Sequence, residues 1–569
     1  MGKRRASETN RGEIPKSGTQ LRASAADLIV AWVLVVGFVA YGYYSIMPPS
    51  VAASDTRQAD FSGARAADHV AVVAAEPHPM GSEAIAEVGV YLASELEALG
   101  LDVMPQLVTA PDYYGGAGTV EVVNLVATIP GTETTGTIAL MAHYDTFPTT
   151  VGANDNSAAV AAILETGRAI LAGPPLRNDV ILLFTDGEEP APRYGSTAFI
   201  AENPMAGDVA LVVNLEASGN SGPSMLVETG GSETWIVDQF AAAVPTPTAF
   251  SFVGATAALI GDVGTDFDPF RNAGIPGVHL AYMRGSPVYH SPADNVASVD
   301  WDSVQHHGSN ALGVARHFGN LDLTTMPATG DSVYFPLRPA FIQYASGWSM
   351  VAALAAAALV GLALVRSRRA AAIAIGPLTR AAGVAAVATL TATIGATLAW
   401  LVIASLRSTP SVLESYFYLL CLFGIGAALG RWPINRSNGA GTADLFGFVL
   451  IWVALGLLTA LTAPGFSYLF TLPALAAAIA LNWHVGEGRA SRVTRFALVA
   501  APTLVLLTPA VDFFFQLGQP RPGNPDSNIP ATASVALLLA FLAGGLLAGV
   551  WRNWVSAGDS ASKAVAPLS

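Results

Sequence analysis

Apolar positions divide the chain into unequal stretches. Residues 26–47, ADLIVAWVLVVGFVAYGYYSIM, are apolar almost throughout and reach the ~20 residues that a helix needs to cross a hydrocarbon core. Residues 51–330 mix polar and apolar positions, and 346–552 returns to near-continuous Ala, Leu, Val, Gly and Phe. Apolar runs at 346–365, 382–405, 411–430, 444–463, 466–483, 496–516 and 531–551 predict seven spans, or eight with the first. In the mixed stretch, VEVVNLVATI, TIALMAHYDT, DVILLFTDGEE, VALVVNLEASG and IPGVHLAYM read as buried strands, and 83–100, 156–173, 232–244 and 298–318 as helices. Strands alternating with helices imply an α/β, three-layer αβα domain with a mostly parallel mixed sheet, whose ligands sit beyond the carboxyl ends of strands. The expected order is a cytoplasmic tail (1–25), a transmembrane anchor helix (26–47), the α/β domain (48–335), an all-α multi-span membrane domain (346–552) and a second cytoplasmic tail (553–569).

Charge orients this arrangement. Lys3, Arg4, Arg5, Arg11, Lys16 and Arg22 precede the first span, which puts the amino terminus inside. The run is long for a cleaved signal peptide, and Tyr41, Tyr43 and Tyr44 suit an interfacial belt. With alternating spans, Arg366, Arg368, Arg369, Arg380, Arg431, Arg436, Arg489, Arg492, Arg495, Arg552 and Lys563 all fall inside, and only Arg407 and Arg521 fall in short outer loops. Both asymmetries place the α/β domain outside. That domain has eight Arg, no Lys and thirty-two acidic residues over 51–330, which excludes nucleic acid as a partner and suits a cationic group such as a peptide's amino terminus. Cys421 is the sole cysteine, so the chain forms no internal disulfide and no cysteine-based zinc site. Arg outnumbers Lys 25 to 3, a bias that suggests a bacterial coding sequence rich in GC. The expected location is therefore a bacterial plasma membrane, or a vacuolar or endoplasmic-reticulum membrane with the domain on the lumenal side.

Acids and histidines gather at the predicted strand ends: MAHYDT holds His143 and Asp145, GANDNSAAV holds Asp155, FTDGEEP holds Glu188 and Glu189, NLEASG holds Glu216, and VYHSPADN holds His290. Each segment alone reads more readily as a cap or loop than as a ligand. In this order and spacing, together with PHPMGS at 77–82 and GTDFDPFRNAGIPG at 264–277, they resemble the co-catalytic zinc aminopeptidases. That family includes leucyl-type aminopeptidases, glutamate carboxypeptidase II and membrane-bound vacuolar and endoplasmic-reticulum metallopeptidases. The resemblance covers about 69–320 and implies a zinc-peptidase domain with two Zn2+ ions. It implies that His143, Asp155 and Glu216 bind one ion, that Asp155, Glu189 and His290 bind the other, and that Glu188 is the general base. These residue types suit the metal, since zinc favours imidazole nitrogen and carboxylate oxygen, and one carboxylate can bridge two ions. Asp145, two residues after His143, is expected to orient an imidazole, or else to cap the strand.

The expected function is an aminopeptidase acting on peptides, anchored in the lipid bilayer. A carboxypeptidase, with Arg193 or Arg284 holding the substrate carboxylate, and a glutaminyl cyclase are alternatives on the same architecture. A binding or transport protein is a third, since seven carboxyl-terminal spans exceed what an anchor needs; a complete ligand set argues against it. His69, His78, His279, His306, His307 and His317 have no ligand partners in the pattern, and the adjacent pair His306 and His307 is expected on a solvated helix face. Tyr282 and Tyr289 could donate to an oxyanion near His290 or simply pack. Asp512, an ionisable residue in a span, raises a functional reading, but its place near the outer end makes simple exposure the expectation. Oligomeric state and preferred residue are not legible.

Overall fold

The computed structural model describes residues 25–563 except 116–117, 190–192, 232, 262–263, 328, 370–374, 408–409, 437–440, 484–487 and 524–530. Residues 1–24, with the six basic residues of the expected inner tail, and 564–569 of the other tail lie outside the described residues.

Helix α1 spans Ala25–Tyr44. Seven strands form the main sheet: β1 (Val103–Pro111), β2 (Thr119–Ile129), β3 (Thr137–His143), β4 (Val180–Thr185), β5 (Val209–Ala217), β6 (Met225–Gly230) and β7 (Gly277–Tyr282), in the order β1-β2-β4-β3-β5-β7-β6. The central strands β4, β3, β5 and β7 pair in parallel, and the flanking pairs β1 with β2, β2 with β4 and β6 with β7 are antiparallel. The sheet is thus mixed, with its parallel pairing concentrated in the middle. Strands β3 and β4 are buried along their whole length, which is why they read as unbroken apolar runs: layers cover both faces.

Successive residues feed opposite layers. Ile138, Leu140 and Ala142 of β3 join Leu182 and Phe184 of β4 in one core, while Ala139 and Met141 join Ile181 and Leu183 in the other. The first core is covered by α2 (Gly63–Val73), α3 (Glu83–Ala98), α4 (Ala158–Leu171), α6 (Glu233–Ala243) and α9 (Trp301–Phe318), the second by α5 (Tyr194–Glu202) and α8 (Phe267–Asn272). Ser62, Ser82 and Asp300 start α2, α3 and α9 by accepting the backbone N–H of Arg65, Ile85 and Asp302. Helix α4 is alanine-rich and lies close to the sheet; a Cβ on its Gly167 would stand 2.6 Å from Leu182.

The short helix α7 (Ser251–Ile260) and the hairpin β8 (Ser332–Leu337) and β9 (Ala340–Ala345) lead toward the apolar half. There α10 (Gly347–Arg369), α11 (Ile375–Leu406), α12 (Val412–Arg436), α13 (Gly441–Thr462), α14 (Pro464–Asn482), α15 (Arg489–Leu517) and α16 (Ala531–Lys563) follow. With α1, eight helices among the described residues are long and apolar enough to cross a membrane. One core runs through both halves: Met225, Val227, Phe252 and Val253 share it with Tyr468, Phe513 and Phe514. Phe252 meets Phe513 edge-on at 5.4 Å, and Phe335 of β8 stacks on Tyr468 of α14 at 4.5 Å.

Two expectations from the sequence need correction. Asp512 is buried, not exposed: its carboxylate accepts from Arg284 Nε at 2.9 Å and from the Tyr416 hydroxyl at 2.6 Å, because the α/β domain sits directly on the end of α15. His306 and His307 are fully buried rather than solvated, since α9 lies against the sheet. The His307 ring meets the Ser224 hydroxyl at 2.8 Å, and His306 Nδ1 accepts from Ser224 N at 3.2 Å. Burial holds both rings neutral, pushing His306 down to about 4 and His307, with His306 adding to the effect, to about 3.

Candidate metal centre

His143 is the last residue of β3, Asp155 stands in the turn before α4, Glu188 and Glu189 follow β4, Glu216 is near the end of β5, and His290 lies in the loop after β7. The carboxyl ends of the four parallel strands therefore supply every predicted site residue. All are buried. Their donor atoms form three groups, each within 4.8 Å: His143, Asp155 and Glu216; Asp155, Glu189 and His290; and His143, Glu188 and Glu189. Asp155 belongs to the first two. Its Oδ1 is 3.4 Å from His143 Nε2 and its Oδ2 is 3.1 Å from His290 Nε2, so the two carboxylate oxygens face different imidazoles. Glu216 Oε2 is 3.5 Å from His143 Nε2, and Glu189 Oε1 is 2.6 Å from His290 Nε2.

Local structure sets these positions. Gly152 adopts φ 60°, and a Cβ there would run into the carbonyl of Asp155, so the turn that presents Asp155 requires glycine. Asp294 grips the same turn, accepting from Asn154 N at 2.8 Å, Asn154 Nδ2 at 2.7 Å and Asp155 N at 3.2 Å. Asn156 Nδ2 donates to the Leu215 carbonyl at 2.9 Å and ties the turn to β5 beside Glu216. Asp145 does two jobs. Its backbone carbonyl lies 3.0 Å from His143 Nδ1, and its carboxylate accepts the backbone N–H of Glu188 at 3.1 Å and of Glu189 at 2.9 Å. The Asp145 carboxylate also lies 3.5 Å from His143 Nδ1, so the side chain flanks the imidazole as well as fixing the two glutamates. The PHPMGS segment braces the same loop: His78 N donates to Thr146 Oγ1 at 2.9 Å.

His290 has φ 54°, in the left-handed region that a side chain disfavours. Its ring lies between Tyr289 (3.7 Å between centroids) and Phe147 (4.6 Å). Tyr282 donates to Asn154 Oδ1 at 3.3 Å, so both tyrosines are engaged in packing or in support of the turn. Asp294, Phe147 and Asn156 escaped sequence reasoning; Asp294 lies within VYHSPADN, and only its burial against Asn154 distinguishes it from a loop residue.

These donors suit a divalent cation. Glu216 Oε1 is buried and accepts no hydrogen bond, and Asp155 Oδ2 takes none despite the nearby imidazole. Protons must otherwise do the cation's work: burial pushes Glu189 up to about 7, with Asp155 reinforcing it and His290 opposing, and burial also raises Glu188. Burial opposes charging of His290, but Glu189 and Asp155 outweigh it and raise the ring to about 10.

Imidazoles and carboxylates converging at strand ends form clusters that could hold a metal ion. Residues 124–315 match the model of Peptidase family M28. Among curated proteins it is similar to endoplasmic reticulum metallopeptidase 1 of Rattus norvegicus, 27% identical over 58% of this chain and 39% of that protein. It is similar to the Mus musculus protein of the same name, 33% identical over 32% of this chain and 20% of that protein. The vacuolar membrane protease of Candida albicans is 29% identical over 45% of this chain and 30% of that protein. The alignments thus span well under half the length of these relatives. Solved structures with a likeness include an aminopeptidase from Aneurinibacillus sp. strain AM-1 (13% identity, TM-score 0.37, 45% of this chain and 94% of that one). A glutaminyl cyclase from Fimbriiglobus ruber is another (19% identity, TM-score 0.38, 47% of this chain and 99% of that one).

Proposed function

We propose that the chain is a membrane-anchored zinc exopeptidase that removes amino-terminal residues from peptides on the non-cytoplasmic side of the membrane. The observation that carries this reading is Asp155, whose two oxygens face His143 and His290 separately. His143, Asp155 and Glu216 would hold one zinc ion, and Asp155, Glu189 and His290 the other. When bound, such ions polarise the scissile carbonyl and acidify water enough to supply the nucleophile near neutral pH. Glu188, beside both His143 and Glu189, is the general base: it takes the proton from water and returns it to the leaving amine. Asp145, through the two backbone amides it accepts, keeps base and ligand in fixed register.

The acidic domain favours a substrate ammonium group. Arg193 and Arg284, the candidates for a carboxylate clamp, are engaged by Asp268 at 2.5 Å and Asp512 at 2.8 Å, which weighs against a carboxypeptidase. Two complete ligand groups weigh against a one-zinc cyclase and against a binding protein that has lost catalysis. The side of the membrane is supported by the excess of arginines in the loops that alternation places inside. It is also supported by the ends that touch the α/β domain: the start of α14, through Gly465, and the end of α15, through Gln516, are both ends that alternation places outside.

The test is hydrolysis by the full chain in lipid nanodiscs of aminoacyl chromogenic amides and of amino-blocked peptides, with and without chelator. Cleavage of free-amine substrates that chelator abolishes and zinc restores is expected. Cleavage of amino-blocked peptides alone would replace this reading with a carboxypeptidase.

A further inference from the structure

His290 is the ligand least supported by the sheet. It sits in a loop, with left-handed backbone, eight residues beyond the end of β7 at Tyr282. A residue held in that region persists where its surroundings over-determine it. Phe147, Glu189 and Asp155 surround the His290 ring, and the membrane half braces the loop that carries it. At the start of the loop, Arg284 is buried and directs Nε and a terminal nitrogen to Asp512 of α15, at 2.9 and 2.8 Å. Tyr416 of α12 donates to the other Asp512 oxygen at 2.6 Å, and the guanidinium lies 4.8 Å from the Tyr43 ring of α1. Two residues on, Ser286 Oγ donates to the Gln516 carbonyl at 2.9 Å. Just before the ligand, Tyr289 stacks on His290 and lies under the Arg521 guanidinium, 5.2 Å away, from the segment after α15. A Cβ on Gly523 would overlap the His290 carbonyl, so that segment rests on the ligand's own backbone.

From these contacts we propose that the end of α15 and residues 518–523 position the His290 ligand, with Arg284 and Asp512 as the latch, so that the Asp155, Glu189 and His290 metal position is fully formed only when the membrane domain is docked. This rests on the metal-centre reading above and gives the multi-span half a role beyond anchoring. Arg284 and Asp512 act as positioning residues: neither is among the grouped metal-binding side chains. The buried ion pair suits a latch because either partner left alone is an uncompensated charge, so the loop and the helix end hold one another in place.

The experiment uses the full chain in phospholipid nanodiscs at buffered free zinc, with metal counted by mass spectrometry and hydrogen exchange followed over 284–291. The variants are Asp512→Ala, Gly523→Ala and, as a control, Asp444→Ala, which breaks the Asp444 pair with Arg552 elsewhere in the bundle. The unmodified chain should bind two ions. Asp512→Ala and Gly523→Ala should keep one and bind the second on the order of 10- to 100-fold more weakly, the scale for losing an outer support of a metal ligand, with faster exchange over 284–291. Asp444→Ala should match the unmodified chain. Unchanged zinc affinity and exchange in both loop variants would overturn the proposal, as would an equal loss in Asp444→Ala, which would signal general loosening of the bundle. Should Asp512→Ala not fold, Gly523→Ala, which changes no charge, decides. An unmodified chain that binds no zinc would instead overturn the metal-centre reading itself.

Discussion

The two imidazoles of the candidate centre are held in opposite ways. His143 ends a strand buried along its whole length between two neighbouring strands, and its Nδ1 lies against a main-chain carbonyl two residues on. His290 belongs to no strand, has left-handed backbone and is wedged between Tyr289 and Phe147, with the membrane helices closing around its loop. One imidazole is thus fixed by strand pairing, and the other stands on a loop packed against the membrane half. Rigidity comes cheaply at a sheet end, where backbone pairing already fixes the residue; a loop ligand needs packing contacts to do the same.

The largest effect that would break this division falls on the residue facing both imidazoles. Asp155→Ala should remove both ions, or nearly so, and bring peptide hydrolysis to background, because each group loses a donor. Retention of one tightly held ion, read by mass spectrometry, would show that Asp155 serves only one ion. Next is the base. Glu188→Gln should keep both metals and substrate affinity yet lower kcat on the order of 100-fold or more, the scale for removing a general base. Glu189→Gln should instead weaken one metal and make activity depend on added zinc; the reverse pattern would exchange the two roles. Asp145→Ala should be milder. With the Glu188 and Glu189 amides released and the carboxylate beside His143 Nδ1 removed, zinc affinity should fall roughly 10-fold.

The smallest effect concerns the packing behind the sheet. His306 and His307 are held neutral, at about 4 and about 3, against about 6.5 in the unfolded chain. Their folded values are depressed, so the unfolded chain binds more protons between those limits. Their contribution is full above about pH 6.5 and lost as pH falls toward 4 and then 3. Between pH 6.5 and 5 this amounts to about 2 kcal/mol per histidine at most. Thermal unfolding at pH 7 and pH 5 should show a smaller drop for His307→Gln than for the unmodified chain; an equal drop would place the titrating groups elsewhere.

Sequence patterning reached the interior of the fold better than its edges. Strands β3, β4, β5 and β7 announce themselves because near-continuous burial demands continuous apolar residues, and β2 does so in its buried second half. Strand β1 is exposed at most positions and carries Pro105 and Pro111, so it offers no such run. The residues of the candidate centre stand out in the sequence as acids and histidines at predicted strand ends, and the fold brings them together. Their supports do not stand out there: Asp294 grips Asn154 from 140 residues away, and Asp512 meets Arg284 across 228 residues. Asp512 and the pair His306 and His307 were misread for one reason, that burial by a distant element leaves no local mark on the chain.

The central claim is that two metal positions share Asp155, one with Glu216 on the sheet and one with Glu189 and His290 on loops. Zinc content of the purified full chain, beside Glu216→Gln and Glu189→Gln, tests it most directly. The account predicts two ions in the unmodified protein and one in each variant at limiting free zinc. A single ion in the unmodified protein, lost equally in both variants, would contradict it.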